Sequence, residues 1–285
     1  MMTVSEKGIL HGQANRSADG VEWFSAPDWS KYDWLWHGFS TRRGGVSTAY
    51  LADGLDGSDA SGIAELNLGF TAADPRESVL ENRRLFAQAL SGSRETPLRA
   101  LRQIHCNRSI TAPSSADAEP VEADGIMTTQ PGSLLGIQTA DCIPVLVVDP
   151  VKRAVAGFHA GWRGTVKSIV ERGVGRMAVE FGSKPEDMIA AIGPGIGSCC
   201  YTVGGEVEGR FAANFTYAEE LFERCGEDLF LDLIEANRRQ LLAAGLAAES
   251  ISIVGGCTAC YPELFFSHRA SGGNTGRMMA AIGIR

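Results

Sequence analysis

The sequence lacks the features that would place the protein in a membrane, outside the cell or on nucleic acid. No stretch approaches the roughly 18 apolar residues that a membrane span needs. Residues 1–20 are polar and mixed, without the apolar run of a secretory signal peptide. Positive charge is also scarce, since 26 Lys and Arg stand against 34 Asp and Glu and the net charge is −8. This balance disfavours the basic face that nucleic acid or a membrane surface requires. We therefore expect a cytoplasmic protein with neither partner.

The cysteines are odd in number, seven in all, and no export signal accompanies them. This usage favours thiols or metal ligands over a disulfide framework. Cys257 and Cys260 have the spacing of half a zinc site, but Cys199 and Cys200 are adjacent and lack the matching spacing. We expect buried thiols in a tight turn here rather than a structural zinc site.

The chain of 285 residues shows no repeat, no low-complexity tract and no clear linker. It is therefore interpreted as one mixed α/β unit. We expect a flexible tail over residues 1–20 and a single catalytic domain over residues 21–285. A mobile loop is predicted at residues 48–65, which are rich in Gly, Ala, Asp and Ser.

Three helices are predicted. The first has Asp74 as its N-cap and Pro75 at its first position and runs to about Leu90. The others span residues 166–181 and 233–244. Apolar runs with strand length and composition lie at residues 34–39, 134–137, 145–148, 155–158, 189–192 and 251–254.

A hairpin is predicted around the turn Asp149-Pro150-Val151-Lys152. A centre between Pro150 and Val151 places Cys142 opposite His159, with Cβ atoms about 5 Å apart, which one tetrahedral metal can bridge. His105 would arrive from a separate strand. Three dispersed ligands without a close fourth are typical of a catalytic zinc with an open position. Taken singly, each residue is more often a hydrogen-bonded or packed core residue.

At these residues the sequence resembles the bacterial YfiH-like family. The family is also called the laccase-domain or multicopper polyphenol oxidase family, the purine nucleoside phosphorylase family and the peptidoglycan editing factor family. The matching motifs are HGFSTRRGGVS (37–47), NLG (67–69), ENRR (81–84), QIH (103–105), ADGIMTTQPG (123–132), TADCIPV (139–145), HAGWRGT (159–165), IGPGI (192–196) and CT…FFSHR…TGR (257–277).

The resemblance implies a single-domain layered α/β/β/α sandwich with mixed sheets and a zinc ion held by His105, Cys142 and His159. Two departures from the family pattern concern the rim of the pocket. Residues 48–65 form an insertion, and Ser267-His268-Arg269-Ala270 stands where the family has SYRRD. The metal site therefore transfers more safely than the substrate preference does.

The activities that the resemblance implies are phosphorolysis of adenosine, inosine, guanosine and methylthioadenosine, and hydrolytic deamination of adenosine. Deamination suits a zinc-activated water, with Asp141 as the candidate proton shuttle. Phosphorolysis needs an anion site, for which Arg42 and Arg163 are preferred because glycine-rich motifs flank them. Other candidate substrate or phosphate contacts are Arg43, Asn67, Gln103, Arg269 and Arg277.

Two other interpretations use the same residues. A His₂Cys set could hold one copper ion with an axial methionine, although five histidines are too few for multicopper centres. Alternatively, Cys142 and His159 could form the nucleophile–base pair of an amide hydrolase acting in peptidoglycan precursor editing. The sequence ranks neither the nucleosides nor the oligomeric states.

Overall fold

Two six-stranded sheets form the centre of the fold in the computed structural model, which describes residues 10–51, 64–113 and 119–285. In chain order the strands are Gln13–Arg16 (β1), Glu22–Ser25 (β2), Leu35–Ser40 (β3), Arg43–Ser47 (β4), Leu98–Ala100 (β5), Ser109–Thr111 (β6), Gly125–Thr128 (β7), Ser133–Thr139 (β8), Ile143–Asp149 (β9), Ala154–Ala160 (β10), Ile189–Ile192 (β11), Thr202–Val203 (β12), Phe222–Cys225 (β13), Asp228–Leu231 (β14), Ile251–Ile253 (β15) and Met278–Ile284 (β16).

The α-helices are Arg76–Ser91 (α1), Trp162–Thr165 (α2), Ile169–Phe181 (α3), Gly205–Ala212 (α4) and Leu233–Ala243 (α5). Short 3₁₀ turns lie at Trp29–Lys31, Pro185–Asp187, Ala218–Leu221 and Ala248–Ser250. Within the residues that the structure describes, no helix is long and apolar enough to cross a membrane.

The sheets are mixed and packed in layers. The first has the order β1-β2-β3-β16-β8-β5 and the second β15-β11-β9-β10-β7-β6, while β12, β14 and β13 form a small third sheet. One apolar cluster lies between helix α1 and the first sheet, one between the two large sheets, and one between the second sheet and helices α3 and α5. The predicted α/β/β/α sandwich is therefore confirmed.

Strand β9 shows why two core layers form on either side of one sheet. Val145 and Val147 belong to the helix-facing cluster, whereas Leu146 and Val148 belong to the cluster between the sheets. Successive side chains of a strand point to opposite faces, so a strand covered on both sides is apolar at every position. Burying each side chain contributes about 1.5–3 kcal/mol relative to leaving it exposed. The predicted apolar strand at residues 145–148 is confirmed.

The remaining strand predictions are confirmed to within a few residues, by β3, β8, β10, β11 and β15. The helix predicted at residues 233–244 is confirmed as α5, where the Asp232 carboxylate accepts a hydrogen bond from the backbone N–H of Glu235.

The predicted hairpin exists, but its predicted register is wrong. Strands β9 and β10 are antiparallel, and His159 pairs with Pro144 rather than with Cys142. Asp149 pairs with Ala154, so the loop contains the four residues 150–153, two more than the predicted turn. The last of them, Arg153, adopts a left-handed φ of 49°. The Asp149 side chain stabilises this loop by accepting hydrogen bonds from the backbone N–H groups of Val151 and Lys152.

Two helix starts also differ from the prediction. Asp74 does not cap α1, because its buried carboxylate accepts hydrogen bonds from Ser47 and Asn67, and the N-cap position is Pro75. The helix expected from residue 166 is interrupted at Ser168, whose φ of 58° is left-handed, so that α3 begins at Ile169.

Two segments predicted to be mobile extend beyond the described residues. Residues 1–9 of the predicted tail lie outside them, whereas Gln13–Arg16 within that tail forms β1 and pairs with β2. Residues 52–63 of the predicted loop at 48–65 also lie outside them. At its end, Glu65 forms bridges with Arg43 and Ser47.

Candidate active site

A cavity of about 580 Å³ contains most of the candidate site residues. Its walls are formed by Phe70, Thr71, Gln103, His105, Gln138, Thr139, Ala140, Asp141, Cys142, His159, Trp162, Arg163, Ile196, Tyr201, His268, Arg269 and Arg277. A smaller cavity of about 150 Å³ beside β5 is lined by none of the predicted site residues. The larger cavity is therefore the candidate active site.

Three predicted metal ligands meet at the wall of this cavity. His105 lies in the loop between β5 and β6, Cys142 lies directly before β9, and His159 lies on β10. Their ligand atoms are all within 4.8 Å of one another, and Cys142 Sγ is 4.0 Å from His105 Nε2. The expectation that His105 arrives on a strand is wrong, but the three side chains form a set able to hold one ion.

Asp124 organises two of these ligands from behind. Its fully buried carboxylate accepts a hydrogen bond from His159 Nδ1 at 2.7 Å. It also accepts hydrogen bonds from three backbone N–H groups of the loop that carries His105: Ile104 at 3.1 Å, His105 at 3.0 Å and Cys106 at 2.8 Å. A carboxylate on Nδ1 holds the proton there, so that Nε2 of His159 is the ring nitrogen that could bind a metal. This residue was missed from the sequence, although it lies in the motif that begins at Ala123.

The backbone around the ligands is constrained. His105 and Asp141 have left-handed φ values of 58° and 86°, which are uncommon for residues with a side chain. Such conformations cost about 1–3 kcal/mol and persist where the surroundings hold them. A Cβ at Gly161 would lie 2.9 Å from Cys142 Sγ and 3.1 Å from His105 Cδ2. Because residue 161 is glycine, the backbone that follows strand β10 can lie close to the side chains of Cys142 and His105.

The charges of the site favour a thiolate. Burial would by itself raise the pKa of Cys142, but His159 and His105 outweigh it and lower the pKa to about 6. Burial would likewise lower the pKa of His159, yet Cys142 and Asp124 raise it to about 9. For Asp124, the hydrogen bonds from His159 and Cys106 overcome burial and hold the pKa well below its usual value. A thiolate at neutral pH is the form that binds metal or acts as a nucleophile.

The predicted anion-binding residues divide into two groups. Arg163 and Arg269 line the cavity, as does Arg277. Arg42, from the preferred pair, is directed elsewhere: its guanidinium pairs with Glu65, donates to the carbonyl oxygens of Pro262 and Tyr50, and packs on Phe266. A guanidinium occupied in this way supports the chain around the insertion instead of facing the cavity.

Arg43 and Asn67 are also placed outside the cavity lining. Arg43 donates to the carbonyl oxygen of Glu263 and lies 3.5 Å from Glu22. Asn67 is fully buried, and its side-chain oxygen accepts the backbone N–H of Arg277 at 2.8 Å.

The two remaining candidates line the cavity but are engaged by other groups. Gln103 exchanges hydrogen bonds of 2.8 Å with the backbone N–H and carbonyl of Gln138. The Asp141 carboxylate accepts the Thr258 hydroxyl and the backbone N–H of Arg269, each at 2.6 Å. Both side chains therefore connect segments of the cavity wall.

The arginines at the cavity differ in their available hydrogen-bond donors. Arg269 donates to the hydroxyl and carbonyl oxygens of Thr202, and Arg277 Nη1 donates to the carbonyl oxygens of Thr275 and Gly276. Arg163 is exposed and stacks on the Trp162 ring with its Cζ atom 4.4 Å from the centroid. Among the described residues, no acidic side chain pairs with Arg163. Arg163 therefore lines the cavity without a carboxylate partner among these residues.

Comparisons with known proteins identify the family of this chain. The family model described as multi-copper polyphenol oxidoreductase laccase matches residues 36–285. The protein named purine nucleoside phosphorylase YlmD of Bacillus subtilis is 35% identical over 257 residues, covering 87% of this chain and 88% of that protein. The protein named purine nucleoside phosphorylase of Deinococcus radiodurans is 39% identical over 248 residues, covering 87% and 88%. The crystal structure of YlmD from Geobacillus stearothermophilus aligns with a TM-score of 0.82 and 33% identity, covering 96% of this chain and 100% of that chain.

Proposed function

Because the chain belongs to the multi-copper polyphenol oxidoreductase laccase family, we propose that it is a zinc-dependent purine nucleoside phosphorylase that also deaminates adenosine. The observation that carries the proposal is the placement of His105, Cys142 and His159 in one wall of a nucleoside-sized cavity that also contains arginines. The relatives named purine nucleoside phosphorylase supply the substrate class.

The donor set fits zinc. Two imidazoles and a thiolate suit a zinc ion with one open position, and Asp124 supplies the carboxylate that orients His159. When bound there, zinc would lower the pKa of a water molecule toward 7. Such an activated water is the nucleophile that deamination requires. A blue-copper-type site adds a weak axial ligand such as methionine. No methionine is among the described residues that line the cavity, so zinc is the better match.

Phosphorolysis requires the chain to hold phosphate beside the ribose. A phosphate oxygen bonds to C1′ as the bond from C1′ to the purine nitrogen breaks. The electron pair leaves with the base, which takes up a proton, and the products are ribose 1-phosphate and the free purine. We assign phosphate binding to Arg163, Arg269 and Arg277, because guanidinium groups bind phosphate through paired N–H donors. Arg42 is not assigned this role, because it is not among the residues that line the cavity and its charge is paired with Glu65.

The purine would lie against the aromatic part of the cavity. Phe70, Trp162 and Tyr201 line it and offer rings for stacking. We assign Gln103, Asn67 and Asp141 to positioning. Gln103 holds the β8 strand end at Gln138, and Asn67 and Asp141 hold the backbones of Arg277 and Arg269.

The test is an assay of nucleoside cleavage with and without phosphate in the wild type and in Arg163→Ala. We expect ribose 1-phosphate to form only when phosphate is present, and Arg163→Ala to lower phosphorolysis by about 10²-fold, as expected for the loss of about 2–3 kcal/mol from one charged contact. Arg172, an exposed arginine on α3 outside the cavity lining, supplies the control Arg172→Ala.

Deamination provides an internal comparison because it uses water and no phosphate. We expect Arg163→Ala to retain most of its deaminase activity. An equal loss of both activities would remove Arg163 from the phosphate site, and cleavage that proceeds equally without phosphate would contradict a phosphorylase.

A further inference from the structure

A second group of metal-binding side chains lies outside the active site. The sulfur atoms of Cys199, Cys200, Cys257 and Cys260 are all within 4.8 Å of one another. Cys260 Sγ is 3.4 Å from both Cys199 Sγ and Cys200 Sγ. Cys257 is buried and starts a tight turn, as expected, whereas Cys260 is exposed. The sequence showed no second half-site, but the fold brings the adjacent pair to this turn.

The topology explains how the two pairs meet. Strands β11 and β15 are parallel neighbours, so the loops that follow them leave the same edge of the sheet. Cys199 and Cys200 lie in the loop after β11, and Cys257 and Cys260 lie in the loop after β15. A β-bridge between Gly195 and Cys257 joins the two loops.

The loops are shaped around the sulfur atoms. The backbone N–H of Gly197 donates to Cys257 Sγ at 3.2 Å, an interaction that stabilises a thiolate. A Cβ at position 197 would lie 3.2 Å from Cys257 Cβ and 3.3 Å from Cys199 Sγ, so glycine permits this close approach.

We propose that Cys199, Cys200, Cys257 and Cys260 bind a structural zinc ion, separate from the ion at His105, Cys142 and His159. Zinc–sulfur bonds of about 2.3 Å in a tetrahedron separate the sulfur atoms by about 3.8 Å. The separations in this cluster, from 3.4 Å to at most 4.8 Å, surround that value. Four thiolates form a closed ligand set, as structural zinc sites have, whereas the first site has three ligands and an open position.

The position of this ion gives it a defined role. Tyr201 follows Cys200 directly and lines the active cavity, and Arg269 stacks on its ring at 5.3 Å. Thr258, between Cys257 and Cys260, donates to Asp141. The second zinc would thus fix the two loops that form one wall of the cavity, so its loss should loosen substrate binding without removing the first metal.

The experiment is zinc analysis of five forms of the full chain purified under reducing conditions. We expect two zinc ions per chain in the wild type and one in Cys142→Ser. We also expect one in Cys260→Ser and in Cys200→Ser, and two in the control Cys225→Ser, because Cys225 is exposed and outside both groups. Iodoacetamide labelling of Cys142 in the Cys260→Ser protein should remain slow, which shows that the first site is intact.

Two results would overturn the proposal. One is a wild type with a single zinc that Cys142→Ser removes and Cys260→Ser retains. The other is a disulfide between Cys260 and Cys199 or Cys200. It would appear, without reductant, as an intact mass two hydrogens below that of the fully reduced chain and as a peptide map that links these cysteines. Neither result concerns phosphorolysis, so failure of this proposal is distinct from failure of the proposed function.

Discussion

At the scale of single residues, Asp124 connects two of the three ligands of the candidate active site. It accepts one hydrogen bond from the ring of His159 and three from the loop that carries His105. Since a carboxylate is acceptor-only, it matches four donors that an amide cannot match. The geometry of the candidate ligands therefore depends on a side chain that lies outside the set.

We expect Asp124→Asn to lower zinc affinity at the active site by about 10–100-fold, because the amide places donors against donors and no longer holds the His159 proton on Nδ1. The measurement is competition between the protein and a chromophoric chelator for the active-site zinc ion, which is identified as the ion that the Cys142→Ser protein lacks. Glu122→Gln, at a half-exposed carboxylate two residues away, is the matched control. An unchanged zinc affinity in Asp124→Asn would show that Asp124 does not orient the candidate ligands.

The convergence of His105, Cys142 and His159 was predicted from the sequence, but partly for a wrong reason. The hairpin argument paired Cys142 with His159, whereas the register places Pro144 opposite His159. The sulfur still reaches the site because Cys142 lies just before β9 and glycine at position 161 leaves room for it. Arg42 could not be assigned correctly, since its partner Glu65 is 23 residues away and only the folded chain brings the two together.

At the scale of elements, helix α3 packs on strand β10 through a glycine. A Cβ added at Gly173 would lie 2.2 Å from the Phe158 ring, whereas one added at Gly175 would meet no atom within 4 Å. Phe158 is fully buried, so it cannot move away without disturbing the core. Two glycines of the same helix thus have opposite environments.

This contrast gives a stability prediction. Gly175→Ala should raise the free energy of unfolding by about 0.5–1 kcal/mol through helix propensity. Gly173→Ala should lower it by about 1–3 kcal/mol through overpacking. Urea unfolding of the two variants is the measurement. A stabilised Gly173→Ala protein would show that α3 is free to shift away from the sheet.

Element types were predictable, whereas several element boundaries were not. Apolar runs identified six strands because buried strands are apolar at consecutive positions. The interruption before α3 depends on the left-handed Ser168, and the start of α1 depends on hydrogen bonds that Asp74 makes to distant residues. Neither is encoded in local composition.

At the scale of the whole molecule, the two large sheets share one buried layer. Leu135 and Ile137 of the first sheet and Leu146 and Val148 of the second belong to the same apolar cluster. Sheets joined in this way lose their common core together, so we expect cooperative unfolding.

Urea unfolding followed by tryptophan fluorescence and by far-ultraviolet circular dichroism tests this expectation. Four of the five tryptophans, Trp23, Trp29, Trp34 and Trp36, lie in or beside strands β2 and β3 of the first sheet, whereas circular dichroism reports on all helices and sheets. The two curves should coincide. Separate midpoints would show that the sheets unfold as independent units.

The layered architecture was predictable because the family motifs run through the chain, but the parallel pairing of β11 with β15 was not. That pairing joins strands about sixty residues apart and carries Cys199 and Cys200 to Cys257 and Cys260. Spacing rules for zinc sites assume two local pairs. They therefore fail where an adjacent pair is completed by tertiary structure.

The central claim, that Cys142 is a metal ligand and not a nucleophile, is tested most directly by its alkylation rate with iodoacetamide. A zinc-bound thiolate is shielded, so we predict slow labelling of the purified protein and fast labelling after a chelator removes the metal. His105→Ala, which removes one candidate ligand but leaves Cys142, His159 and Asp124 in place, should label fast from the start and lack the deaminase activity that a zinc-activated water supplies. Fast labelling of untreated wild-type protein, together with an active His105→Ala enzyme, would contradict the account.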